Sequence, residues 1–272
     1  MNKKTLSSIV LSLLLWLAAP ANASATGQDG EILYWNGKEY EMLSLPLKYN
    51  DELDRLVAQV ADFTVTSNWR GYQGHWSIQD NQLYLDSIVI SYQKVLIPQK
   101  DSIFSKYLKD GKVPATWVSD TLRVVSGKCI KYEHMGFARY YEHEDFIAFK
   151  DGVVQSVRRE EQKCLIKWDE RTAVPKIHQF IEELSAQLHA RYPKTHGYIG
   201  VSILYSDFDS NMMPTNVEAT ISKNTLTHPN PKLERELCEK VSNFVLINRI
   251  FPLYYIKGKI TQDGRFFPFQ IP

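Results

Sequence analysis

The sequence predicts an α+β fold, in which a β-rich N-terminal domain precedes a smaller domain of helices and strands. Two patterns support this class. Asn36-Gly37 and Asp151-Gly152 each lie between runs of strand-forming residues, which is typical of β-hairpins. After residue 168, apolar residues recur at offsets of three and four, the spacing of one face of a helix.

Most predicted elements of the first domain are strands. Asn50 is the expected N-cap of a short helix, and Asp101 is the expected N-cap of another that ends at Gly111. Asp80-Asn81 is a turn between two strands. The predicted strands cover 32–35, 38–43, 63–67, 74–79, 82–90, 91–97, 116–118, 121–125, 128–134, 137–150 and 153–167.

The second domain is predicted to begin near Trp168. A long amphipathic helix starts after Pro175 and ends at Tyr192-Pro193, with Ile177, Ile181, Leu184 and Leu188 on one face. The order then becomes strand (198–205), strand (217–222), helix and strand, where Asn230-Pro231 supplies the N-cap and first residue of the helix. The predicted domains are therefore 24–167 and 168–272.

Residues 1–23 have the pattern of a secretory signal peptide. Lys3 and Lys4 precede an apolar run over 8–19, and Ala21-Asn22-Ala23 is a small-x-small cleavage site. An uncleaved anchor is the alternative, but a spanning helix needs about 20 apolar residues, and Pro20 interrupts this run. Cleavage after Ala23, or after Ala25, predicts an exported protein in the periplasm or outside a Gram-negative cell.

Composition excludes some partners. Loss of Lys3 and Lys4 lowers the formal net charge from +1 to −1, so we expect no electrostatic attraction to nucleic acid. No second segment is apolar enough to span a membrane. The sequence also lacks the G-x-S-x-G, H-E-x-x-H, Walker and G-x-G-x-x-G motifs. A catalytic group assembled from distant residues stays possible by sequence alone.

One short segment is a candidate ligand-binding site. Trp69, Arg70, Tyr72, His75 and Trp76 lie within eight residues. Aromatic rings with nearby polar groups can bind sugars or other small ligands. The alternative is that these rings are core residues of a strand, since aromatic residues favour strands.

A second segment has part of a calcium-loop pattern. Asp207, Asp209, Asn211 and Glu218 match its first, third, fifth and twelfth positions, whose oxygen atoms bind Ca²⁺. Met212 replaces the glycine that the sixth position requires. The alternative is a polar hairpin loop, and no other cofactor is expected.

Two resemblances add to this interpretation. The segments 69–72, 81–85, 127–128 and 134–137 resemble motifs of secreted, Bacteroidota-like bacterial proteins of unknown function. The last part of the chain resembles a TonB C-terminal domain, through His228 to Glu234, Lys257-Gly258-Lys259 and Phe267 to Ile271. This second resemblance implies a small α+β domain that makes protein contacts in the periplasm. The energy transducer's anchor and Pro-rich spacer are absent from the sequence pattern.

The leading functional hypothesis is an exported, non-enzymatic envelope protein with an interaction or structural role and an envelope protein partner. Its first alternative is a carbohydrate- or ligand-binding module that uses the 69–76 segment. The second alternative is a periplasmic hydrolase with a spatially assembled site.

Overall fold

The computed structural model describes residues 26–61, 64–92, 94–228 and 230–271. The signal peptide and both of its cleavage sites lie outside these residues. Within them the chain combines many strands, several sheets and three α-helices, which agrees with an α+β class and a β-rich N-terminal region. No described helix has both the length and the apolar character needed to cross a bilayer.

The helices are α1 (Asp51–Ala58), α2 (Glu170–Arg191) and α3 (Pro231–Asn248). The first ten strands are β1 (Glu31–Trp35), β2 (Lys38–Met42), β3 (Tyr72–Gln79), β4 (Gln82–Ile90), β5 (Lys94–Leu96), β6 (Val113–Pro114), β7 (Thr121–Tyr132), β8 (Arg139–Lys150), β9 (Val153–Glu161) and β10 (Lys163–Ile166). The last five are β11 (Gly197–Phe208), β12 (Pro214–Asn224), β13 (Leu253–Ile256), β14 (Lys259–Gln262) and β15 (Arg265–Ile271).

Strands β1 to β9 form one large sheet. Its hydrogen-bonded path is β3-β1-β2-β7-β8-β9-β4-β5, and β3 also pairs with β4, so the path from β3 round to β4 closes. The link between β9 and β4 in this path is one residue pair, Gln82 with Val153. β5 lies beyond the closed path and pairs, among the described strands, with β4 alone. The outer edge of β5 is therefore open.

The turns that the sequence predicted are present. Asn36 and Gly37 have φ values of 50° and 73°, and Asp151 and Gly152 have 50° and 77°. Two successive residues with positive φ are the requirement of a type I′ turn. Asp80 and Asn81 also have positive φ and join β3 to β4.

Some local predictions differ from the structure, among them the strand expected at 116–118, which includes a turn and no strand. The described part of the 63–67 segment is a turn, in which Val65 and Asn68 exchange backbone hydrogen bonds. The helix expected after Asp101 is reduced to a 3₁₀ turn at Ser105–Tyr107, and Asp101 itself has a φ of 62°. α2 begins before Pro175, because the Asp169 side chain accepts a hydrogen bond from the Arg171 N–H and caps an earlier turn.

The later strands form two three-stranded sheets, β12-β11-β15 and β10-β13-β14. The sequence predicted one strand after α3, whereas the structure has three. α2 and α3 pack against the β12-β11-β15 sheet. The side chains that form this core are buried and apolar, and include Leu184, Leu188, Val201, Leu237, Val241, Phe267 and Phe269.

The chain divides into two compact units that differ from a single cut at residue 168. The first unit contains the chain up to Val124, Tyr132–Arg139 and Ala148–Ser156. The second unit contains Val125–Lys131, Tyr140–Ile147 and everything from Val157 onward. The long strands β7, β8 and β9 contribute residues to both units, which the local sequence pattern does not reveal.

Candidate functional site

The 69–76 segment does not present an aromatic platform. Tyr72 and Trp76 are 1% and 0% exposed, whereas Trp69 is 71% exposed. The cause is strand alternation, because β3 points Tyr72, Gly74 and Trp76 inward and leaves His75 half-buried. Two buried rings cannot stack on a sugar, so Tyr72 and Trp76 do not form a surface platform, and ligand binding at this segment stays a prediction of the sequence.

Arg70 is also buried and faces inward rather than toward a ligand. Its guanidinium Nη2 donates to the Asp29 backbone carbonyl at 2.9 Å and lies 3.3 Å from Glu31 Oε1. Trp76 Nε1 donates to the other oxygen of Glu31 at 2.8 Å. The segment therefore supplies the partners of a buried carboxylate.

Burial raises the pKa values of Glu31 and Tyr72. Loss of hydration raises the pKa of Glu31 to about 7, although Arg70, Trp76 and the Gly74 N–H act in the opposite direction. Burial also raises the pKa of Tyr72, and Glu31 and Asp54 raise it further. Perturbed groups often mark active sites, but Glu31 and Tyr72 are sealed from solvent, so a substrate has no access to them.

The four calcium-candidate residues do not converge on one point. Asp209 Oδ1 accepts hydrogen bonds from the N–H groups of Asn211 and Met213, at 2.9 and 2.8 Å, and closes the β11–β12 turn. Asp207 Oδ2 accepts from the Asn216 side chain, while Glu218 pairs with Leu204 farther along the hairpin. The described residues contain no group of three acidic, His or Cys side chains suited to a metal. Calcium binding stays a prediction of the sequence pattern.

The strongest candidate site is a groove beside β5, in the first unit. Its volume is about 790 Å³. It is lined by residues 94–97, by Leu56 and Val60, and by Gln99 and residues 101–106. A neighbouring cavity of about 580 Å³ shares Gln99, Asp101 and Ser105 with it.

The groove runs along the open edge of β5. Successive side chains of a strand point to opposite faces. Since the four consecutive residues 94–97 all line the groove, the groove follows the edge of the strand and not one of its faces. Val95 and Ile97 are 55% and 62% exposed. They are two positions apart, which favours the same face. This edge exposes apolar side chains beside backbone groups that pair with no other described strand.

The 101–106 segment, which lines the groove, lies beside α1. The Lys106 ammonium pairs with the Glu52 carboxylate, which also accepts a hydrogen bond from the Tyr107 hydroxyl at 3.2 Å. These contacts raise the pKa of Lys106 and lower that of Glu52. Below them, Phe104 is buried. The 101–106 segment is therefore fixed against the helix.

The second unit has a smaller groove between α2 and α3, with a volume of about 330 Å³. Phe180 and Phe244 stack in it with ring centroids 3.9 Å apart, and Glu183, Gln187, Lys240 and Asn243 form its polar rim. The two rings contact each other and the core ring of Phe267. Two of the rings that line this groove are therefore packed against the core of the unit.

Comparison of the chain with protein-family models, with curated proteins and with solved structures found no match. The function must therefore be inferred from the geometry of the chain itself. Sequence reasoning missed the groove at β5. Its one local signal was the short apolar run Val95-Leu96-Ile97 before Pro98.

Proposed function

We propose that this protein is an exported, non-enzymatic envelope protein whose first unit binds a protein partner at the groove beside β5. The observation that carries the proposal is the open edge of β5, where Val95 and Ile97 are more than half exposed. An unprotected strand edge is a ready template for pairing with another chain. Nearby exposed apolar residues make this edge more suitable for a partner.

Export is part of this proposal and is supported by the signal-peptide pattern over residues 1–23. For the second unit, the TonB-like pattern supports a role in protein contacts as well. The hydrolase alternative has less support, because the perturbed groups Glu31 and Tyr72 are buried. Exposed Trp69 alone does not provide the set of rings that the sugar-binding alternative requires.

The test is site-specific photo-crosslinking in the cells that produce the full chain. Val95→p-benzoylphenylalanine should give a covalent adduct with another polypeptide after irradiation. Val157→p-benzoylphenylalanine is the matched control, because Val157 is also an exposed strand valine, 43% accessible. Ile97→Lys should remove the Val95 adduct. Equal adducts from both positions, or none from Val95, would contradict the proposal.

A further inference from the structure

We propose that the occupant of this groove is an extended, acidic segment of the partner protein, which pairs with β5 as an additional strand. The inference rests on the proposed function and adds the chemistry of the segment. Three features of the groove carry it: the direction of its backbone groups, the charge of its surroundings and the spacing of its apolar residues.

The backbone of β5 favours an extended occupant. β5 uses one edge for Ile88, Val89 and Ile90 of β4. In a strand, N–H and C=O groups alternate between the two edges, so part of the 94–97 backbone points into the groove. A strand that is added there can form main-chain hydrogen bonds, which is a recurrent mode of peptide recognition.

The charge around the groove favours an acidic occupant. Residues 94–112 contain five lysines and two aspartates, a net charge of +3 within a chain whose total is +1. Lys94 lines the groove and Lys100 lines the neighbouring cavity, and both are exposed, whereas Lys106 is already paired with Glu52. Asp101 is the acidic residue in the lining. Complementary charge therefore selects carboxylates on the partner.

The apolar residues of the groove determine the spacing of apolar side chains that a partner strand needs. Val95 and Ile97 occupy alternate positions of the strand, and Leu56 and Val60 line the same groove. A partner strand that alternates apolar and acidic residues places its apolar side chains against these residues. Its carboxylates then project on the other face, toward the lysines at the rim.

The experiment measures binding of the purified full chain to synthetic peptides by fluorescence anisotropy. The probe is a labelled peptide of about eight residues that alternates Glu and Val, a typical strand length. The comparison peptide alternates Lys and Val. We expect the acidic peptide to bind at least about tenfold more tightly, with affinity that falls as salt increases. Methylation of alternate backbone nitrogens in the acidic peptide should abolish binding, because those nitrogens can no longer donate.

Two variants locate the binding. Val95→Glu should weaken the acidic peptide by about tenfold or more, while Val157→Glu should leave it unchanged. Unchanged circular dichroism of both variants shows that they are folded. Equal loss in the two variants, or retained binding by Val95→Glu, overturns the assignment to β5. Binding of the methylated peptide overturns strand addition.

The remaining outcomes separate this inference from the proposed function. Tighter binding of the basic peptide overturns the acidic segment, but a Val95 crosslink to a partner would still support the groove. Binding to phosphatidylglycerol vesicles but to neither peptide would assign the surface to a membrane and overturn the inference. If the chain instead dimerises, binds neither peptide, and loses dimerisation in Val95→Glu, the occupant is a second copy of the chain. That outcome would also overturn the inference.

Discussion

The carboxylate of Glu31 and the guanidinium of Arg70 face each other inside the first unit, with Oε1 and Nη2 3.3 Å apart. Their side chains are 0% and 4% exposed. Removing a carboxylate from water costs several kcal/mol, and burial is the largest influence on the pKa of Glu31. The proximity of Arg70 reduces the pKa increase without cancelling it.

This pair predicts a pH-dependent stability. The pKa of Glu31 is 4.5 in the unfolded chain and about 7 in the folded one. Below pH 4.5 both states are protonated and the contribution is fully present. As the pH rises from 4.5 through 7, the unfolded chain gives up the proton that the folded chain still holds, so the free energy of unfolding falls by about 3 kcal/mol in total. Above this range the loss is complete.

Urea unfolding of the parent chain and of Glu31→Gln, at intervals from about pH 4 to about pH 8, measures this dependence. The difference in unfolding free energy should change across that range, because the amide does not titrate. Glu39→Gln is the control, since Glu39 is an exposed residue of β2. A pH-independent difference between the parent and Glu31→Gln would refute the prediction.

Gly74 should not tolerate a side chain. A Cβ at this position would lie 2.0 Å from Glu31 Oε2 and 2.5 Å from Trp76 Nε1. We expect Gly74→Ala to lower the unfolding free energy by about 1–3 kcal/mol, as overpacked core variants do. Thermal unfolding measures it, and Gly264→Ala is the control, because its Cβ meets no atom within 4 Å. Equal stability of the two variants would show that Glu31 and Trp76 can move away from the added methyl group.

The two tryptophans of the 69–76 segment should behave differently. Trp76→Phe removes the donor to Glu31 and leaves a cavity, so we expect a loss of about 2–3 kcal/mol. Trp69→Phe affects an exposed ring and should change stability by less than about 0.5 kcal/mol. Chemical unfolding measures both. Acrylamide should quench less fluorescence in Trp69→Phe than in the parent, and an unchanged quenched fraction would contradict the exposure of Trp69.

The N-cap of α3 depends on one side chain. Asn230 Oδ1 accepts a hydrogen bond from the Leu233 N–H at 3.2 Å. Asn230→Ala should cost about 1 kcal/mol, whereas Asn230→Asp retains an acceptor and should cost less. Urea unfolding compares them. If the two variants lose the same stability, the hydrogen bond is not what caps the helix.

Local chemistry allowed part of this fold to be predicted. Asn36-Gly37 and Asp151-Gly152 were recognisable because few residue pairs accept positive φ at both positions. Asn50 and Asn230 were recognisable as N-caps, because each lies directly before a helical apolar stripe. In each case the deciding interactions lie within a few residues.

Long-range interactions account for what the sequence did not reveal. The parallel pairing of β1 with β3 joins segments about forty residues apart, as Leu33 pairs with Trp76. The pairing register of two strands so far apart in the chain cannot be read from the residues next to either strand.

The candidate site was harder to predict than the fold. The aromatic residues at 69–76 were identified as a group, but their burial depends on the closed sheet and on Glu31, which is 45 residues from Trp76. The lining of the groove comes from three separate stretches of the chain, around Leu56, at 94–97 and at 101–106, and no local pattern joins them. Carboxylates of Asp207 and Asp209 matched a calcium pattern because turns and calcium loops use the same residue types.

The path of β7, β8 and β9 through both units also limits how this protein can be divided. No single cut of the polypeptide leaves each unit complete, because residues 125–131 and 140–147 of the second unit lie between segments of the first. A fragment that ends at Ser156 keeps the whole first unit but also carries two pieces of the second. The two units therefore cannot be separated as a simple head and tail of the polypeptide.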